Sequence, residues 1–182
     1  DELVEVDRLL DRSRLLSLTG PGGAGETRLA VELGRRGADE HRDGVWLVEL
    51  GPVTDPGDVT GTVASVLEAG GVGGSANAGQ ARAGSPIDRI SERLRGRDAV
   101  LILDNCEHLV DAVSWLARSI LEEHASVKIL ATSREPLGVP GEVRWPVPAL
   151  RLPARTASDV PDLLGSEAVR LFVDRANAAN PS

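Results

Sequence analysis

An α/β fold built on a parallel sheet is what this sequence predicts, and three observations predict it. Short apolar runs, Val45 to Leu50 and Ala99 to Asp104 among them, alternate with stretches whose apolar residues recur at helical spacing. The runs are nearly continuous in apolar character, as strands buried on both faces are. One of them, around Leu15, Leu16 and Leu18, leads through a glycine-rich turn straight into a helix-forming segment.

That turn organises the rest. Gly20-Pro21-Gly22-Gly23-Ala24-Gly25-Glu26-Thr27 follows the P-loop pattern GxxxxGK[ST] except at one position. Successive backbone N–H groups and a helix N-terminus converge there on a phosphate. Gly20 and Gly25 hold the two glycine positions, Thr27 holds the hydroxyl position for Mg²⁺, and Arg28 follows in the first helical turn. Glu26 stands where the lysine belongs. Replacing a cation near the phosphates with a carboxylate reverses about 4 kcal/mol of attraction at 4 Å and an effective dielectric near 20. The swing of about 8 kcal/mol is an upper bound of roughly five to six decades in affinity. Rotation of Glu26 into water would soften it. Lys128, the one lysine of the chain, falls too far along to be a local replacement.

Composition narrows the class. The chain of 182 residues fits one domain, with 41% hydrophobic residues to fill its core. Only 2% are aromatic, so that core must come from Leu, Val, Ile and Ala. A formal charge of −8 argues against this piece gripping DNA or RNA by itself. Cys106 is the single cysteine, which excludes an internal disulfide, and the three histidines have no zinc spacing. No apolar stretch is long enough to cross a bilayer and no signal-peptide pattern opens the chain, so a reducing cytoplasm is the expected compartment. The absence of methionine, at position 1 included, suggests a piece of something longer.

The elements follow in order. Leu3, Val6, Leu9 and Leu10 predict a short amphipathic helix. After the P-loop strand, a helix is expected from about Thr27 to Arg36, with Leu29 and Leu33 as its buried pair and Gly37 to end it. Val45 to Leu50 is the second strand, and Val59, Val63, Val66 and Leu67 mark the next helix. From Gly70 to Pro86 the chain offers almost nothing to bury and reads as a mobile surface loop, with a structured recognition loop as the alternative. Ile87, Ile90 and Leu94 give a helix before the third strand, Ala99 to Asp104.

An apolar strand ending in Asp, after a P-loop at this separation, reads as the Walker B element, whose carboxylate serves Mg²⁺. Asn105 follows where a catalytic acid is common, and Glu107 is the nearest substitute. Leu109, Ala112, Val113, Leu116, Ala117, Ile120 and Leu121 form a long helical stripe. His108, just ahead of it, reads as a hydrogen-bonded structural residue. Val127 to Ala131 is the fourth strand and delivers Thr132, Ser133 and Arg134 to the sheet's carboxyl edge, where ligands of open parallel sheets lie. Arg134 there faces a terminal phosphate or pairs with a surface acid. Glu142 to Val147 reads as an edge strand broken by Pro146. The expected organisation is a nucleotide-binding core over 1–150, a linker over 151–165 and, from Ser166, the first helix of a truncated lid over 166–182.

Together LTGPGGAGET, VLILDNCEHL, ATSREPLGVPGE and AVRLFVDRA resemble the nucleotide-binding domain of the STAND class of ATPases, near the NB-ARC type, and most nearly the ATPase module of bacterial SARP and LuxR-type transcription regulators. The resemblance implies a five-stranded parallel sheet in the order 5-1-4-3-2, with a helical lid and a winged helix beyond it. It implies ATP or ADP with Mg²⁺ as cofactor, Gly20 to Arg28 around the phosphates, Thr27 and Asp104 at the metal, and Arg134 sensing the γ-phosphate. It also implies DNA-binding and helical-repeat domains of the same protein as partners, with homo-oligomers formed in the open state. Glu26 and Asn105 depart from the pattern.

The leading expectation is therefore a regulatory ATP/ADP switch domain with weakened nucleotide binding or turnover. The rival is an interaction scaffold that keeps the P-loop fold as packing alone. A small-molecule kinase comes third, for want of an acceptor site.

Overall fold

A computed structural model of the protein describes residues 2–38, 40–70, 84–149, 153, 160–166, 168–171 and 173. The first helix, α1 (Glu2–Arg12), buries Val6 and Leu10 and leads into β1 (Leu15–Thr19). Beyond the glycine turn lie α2 (Glu26–Gly37) and β2 (Val45–Glu49). A 3₁₀ turn at Pro56–Asp58 opens α3 (Val59–Ala69), and α4 (Pro86–Leu94) precedes β3 (Ala99–Asp104). Then come α5 (Val110–Glu123), β4 (Val127–Ser133), β5 (Val143–Pro146) and α6 (Val160–Leu164).

All five strands lie parallel in one sheet, β2-β3-β4-β1-β5, which is the expected order 5-1-4-3-2 read from the other edge. β1 sits between β4 and β5, so the P-loop leaves the sheet beside the end of β4. The register pairs Glu49 with Asp104 and Thr19 with Ser133, which brings the carboxyl ends of β1 to β4 to one edge. Alternate strand residues feed two cores. Leu15, Val48, Leu101, Leu103 and Ile129 pack with α3, α4 and α5, while Leu16, Leu18, Val100, Ile102 and Leu130 pack with α1 and α2.

Local chemistry fixes the helix positions. α2 lies so close to the sheet that a Cβ on Gly34 would stand 2.6 Å from Ile102 Cδ1. Because Gly34 faces the sheet, the buried residues of α2 are Ala30 and Leu33, and Leu29, expected in the buried pair, is only half-buried. α4 starts at a reciprocal cap in which Ser85 and Asp88 satisfy each other's backbone N–H. β4 runs two residues beyond the expected Ala131, so Thr132 and Ser133 are strand residues, each only 3% exposed.

By contacts the chain forms two compact units, Asp1–Val147 and Pro148–Ser182. In the second, Val160–Leu164 is helical within the span read as linker. Ser166 Oγ accepts from Val169 N at 3.4 Å, the capping role expected of it, ahead of the helical residues 168–171. Of the loop expected from Gly70 to Pro86, residues 71–83 lie outside the described ones, while Ser85 already caps α4 and Pro86 is its first residue; 174–182, expected in a lid, also lie outside them. Among the described residues no helix is long and apolar enough to cross a membrane.

Candidate functional site

β1 ends at Thr19, and the chain turns through Gly20 to Gly25 before α2 begins at Glu26. Gly23 (φ 89°) and Gly25 (φ 103°) take left-handed backbone conformations that a side chain would strain. A Cβ on either would meet nothing within 4 Å, so the loop's outer surface is open to a ligand. Ala24 N bonds Pro21 O at 3.0 Å and Leu29 N bonds Gly25 O at 2.9 Å, which closes the loop onto the helix.

At the foot of the loop two motifs meet. Thr27 Oγ1 donates to Asp104 Oδ1 at 2.8 Å. Thr132 Oγ1 donates to the same oxygen at 2.5 Å and itself accepts from Asn105 N at 2.9 Å. Asp104 is 7% exposed, with two hydroxyls fixing one of its oxygens. A hydroxyl and a carboxylate from two elements converge here, the hard oxygen donors that suit Mg²⁺. Among the described residues no group of three or more His, Cys, Asp and Glu could hold a metal by itself, so a cation here would draw its remaining ligands from phosphate and water.

A cavity of about 320 Å³ opens above this pair, lined by Gly22, Gly23, Glu26, Thr27, Asn105, Glu107 and Thr132 to Arg134. It therefore gathers the loop tip, the hydroxyl position, Glu107 and Arg134. Glu107 and Arg134 are bound to each other, Nε to Oε1 at 3.2 Å. Asn105 takes a left-handed backbone conformation at φ 66°. With its side-chain nitrogen toward Glu107, it donates to Oε1 at 3.1 Å and Oε2 at 3.2 Å. Of the remaining expected residues, Pro21 is exposed at the tip and Ala24 is buried beneath it. Arg28 is exposed in the first turn of α2 and does not line the cavity.

Glu26 does not simply turn out into water. Its Oε1 lies 2.6 Å from where a Cβ on Gly20 would stand, so the side chain is folded against the start of the loop, half-buried. It has no hydrogen-bond or ion-pair partner among the described residues. Counting Asp104 beside the cavity, three carboxylates face one guanidinium. Such a field repels a polyanion unless a divalent cation offsets it.

The fold is shared with known proteins. The Orc1 protein of Aeropyrum pernix, solved in complex with DNA, superposes on 94% of this chain and 48% of its own with a TM-score of 0.54 and 21% identity. Cdc6p of Pyrobaculum aerophilum superposes on 79% of this chain and 44% of its own, with a TM-score of 0.53 and 16% identity. The fold is that of the P-loop NTPases. In sequence, the "Putative HTH-type transcriptional regulator Rv0890c" of Mycobacterium tuberculosis is 38% identical over 173 residues. Rv0894 of the same organism, an uncharacterized protein, is 37% identical over 175 residues. These alignments cover 95% and 96% of this chain but only 17% and 39% of the two relatives, so the chain spans a minor part of each. No protein-family model matches the chain.

One site residue escaped the sequence reading. Thr132 was visible just past the expected end of a strand, but its hold on Asp104 depends on β3 and β4 being neighbours in register. The available signal was a hydroxyl at the carboxyl end of an otherwise apolar strand.

Proposed function

We propose that this is a regulatory nucleotide-binding domain of a multidomain cytoplasmic transcription regulator of the STAND or NB-ARC kind, with an impaired site. The bond from Thr27 to Asp104 carries the reading, because it assembles the two Mg²⁺ positions of the P-loop pattern beneath an open glycine loop. The similarity to a protein named as an HTH-type transcriptional regulator supports the wider setting, in which DNA-binding, winged-helix and helical-repeat domains of one protein are the partners. The formal charge of −8 supports a domain that does not itself hold nucleic acid.

In this reading the amides of Gly22 to Gly25 take the phosphates of ATP or ADP, and Thr27 and Asp104 orient the cation. Mg²⁺, when bound, neutralises phosphate charge. Arg134, which lines the cavity with the loop tip, takes the terminal phosphate, and Glu107 is its carboxylate partner there. Glu26 opposes all of this from within the loop, and Asn105 offers no proton acceptor of its own strength.

The folded-back Glu26 favours a second reading, in which the P-loop is retained as packing and the domain is a nucleotide-independent scaffold. Titration calorimetry with Mg-ATP and Mg-ADP separates the two. The regulatory reading predicts binding weaker than micromolar that strengthens when a lysine is restored. The scaffold reading predicts no heat from either protein.

A further inference from the structure

We propose that the ion pair between Arg134 and Glu107 is a latch opened by the terminal phosphate of a nucleoside triphosphate, so that this carboxylate is released only when a third phosphate is present. The inference rests on the nucleotide reading of the cavity and adds the regulation of that site.

Glu107 is held from two sides. Arg134 Nε approaches Oε1 at 3.2 Å, and the Asn105 amide, with its nitrogen turned toward Glu107, reaches both oxygens at 3.1 and 3.2 Å. The Asn105 grip is built into the backbone, whose left-handed turn is anchored by the 2.9 Å bond from Asn105 N to Thr132 Oγ1. The Arg134 grip is looser, since its side chain is 67% exposed against 21% for Glu107. An exposed pair of this kind holds by a factor of about five at most.

The other end of Arg134 faces the loop. Its Nη2 lies 3.1 Å from where a Cβ on Gly22 would stand, so the guanidinium spans from the loop tip to Glu107. The terminal phosphate of a triphosphate, one group beyond those the loop amides hold, meets that guanidinium. A guanidinium prefers the paired oxygens of a phosphate to a single carboxylate contact. Capture of Arg134 by phosphate leaves Glu107 lining the cavity without its cation. A diphosphate, one group shorter, leaves the pair closed. The latch thus couples the state of the carboxylate to the number of phosphates bound.

The Arg134 Nε–H resonance in ¹⁵N-labelled protein reads the latch, assigned by its loss in Arg134→Lys. The background is Glu26→Lys, which removes the opposing charge. Without nucleotide, adding Glu107→Gln to that background shifts the resonance. With saturating Mg-ATP, the proteins with and without Glu107→Gln give the same resonance, and with Mg-ADP they differ as they do without nucleotide. No shift on Glu107→Gln in the nucleotide-free protein overturns the pair. An equal difference with and without Mg-ATP overturns phosphate opening and leaves the nucleotide reading standing. Failure of Mg-ATP to bind the Glu26→Lys protein in a parallel titration overturns the nucleotide reading and the latch with it.

Discussion

Thr27 and Asp104 stand 77 positions apart in the sequence and 2.8 Å apart in space, hydroxyl to carboxylate. The bond joins the first turn of α2 to the end of β3. Thr132 completes it from β4 by donating to the same oxygen. A carboxylate only 7% exposed is held here by hydroxyls from two different elements.

Thr132→Val keeps the shape of the side chain and removes both of its bonds, leaving the Asn105 amide without an acceptor. We expect a loss of about 1–3 kcal/mol, since a stranded buried polar group costs that much. For a chain of this length the melting temperature should fall by roughly 2–4 °C per kcal/mol. Thermal denaturation checks it. An unchanged midpoint would mean that Asp104 is not held from β4.

How much of this could be read beforehand depended on whether the interaction was local or tertiary. The P-loop, the Asp-ended strand and the Arg at the end of β4 were legible because each is a short motif, and parallel topology sends all three to one edge. The buried face of α2 was misjudged at Leu29, since periodicity cannot show that Gly34 lets the helix drop onto Ile102. The Ser85 and Asp88 cap was in principle readable as a capping signature, but it sits at the end of a Gly- and Ala-rich stretch with no flanking pattern. Neither the clasp of Arg134 on Glu107 nor the position of the Glu26 side chain follows from spacing.

Glu142 shows the same limit in a loop. Its side chain is 1% exposed, and its carboxylate accepts from Leu137 N at 2.8 Å and Gly138 N at 2.9 Å. It thereby shapes the turn that leaves Arg134. Glu142→Ala should cost about 2–3 kcal/mol by stranding two amides that now bond a charged group. Glu142→Gln, which still accepts one bond, should cost less. Urea denaturation of the pair gives the order, and equal stabilities would show that the turn holds without the carboxylate.

Cys106 tests the tightness of the region. It is fully buried behind Asp104, and burial, helped by the charges of Asp104 and Glu107, pushes its thiol well above the ordinary range. Reaction with a thiol reagent at pH 8 should be at least about a hundredfold slower in the native protein than in urea, because both thiolate and access are lacking. Rapid native labelling would show that the end of β3 opens readily.

His124, at the end of α5, should give stability a pH dependence. Burial lowers its pKa below 6.5; Glu123 pulls it back up, while Arg95 and Arg14 lower it further. The unfolded chain therefore takes up this proton at higher pH than the folded one. The contribution is intact above about pH 6.5 and is lost as pH falls toward the folded value. His124→Gln should remove part of the decline seen between pH 7 and 5 in urea midpoints. An identical decline in both proteins would rule His124 out as its source.

The carboxylate of Glu26 is a charge out of place in an otherwise well-formed glycine loop. Calorimetric titration of Mg-ATP into the unaltered and Glu26→Lys proteins measures its effect directly. We predict affinity weaker than micromolar in the first and a gain of several decades in the second, within the five to six that the charge reversal allows. Micromolar or tighter binding by the unaltered chain, or no gain on restoring the lysine, would contradict it.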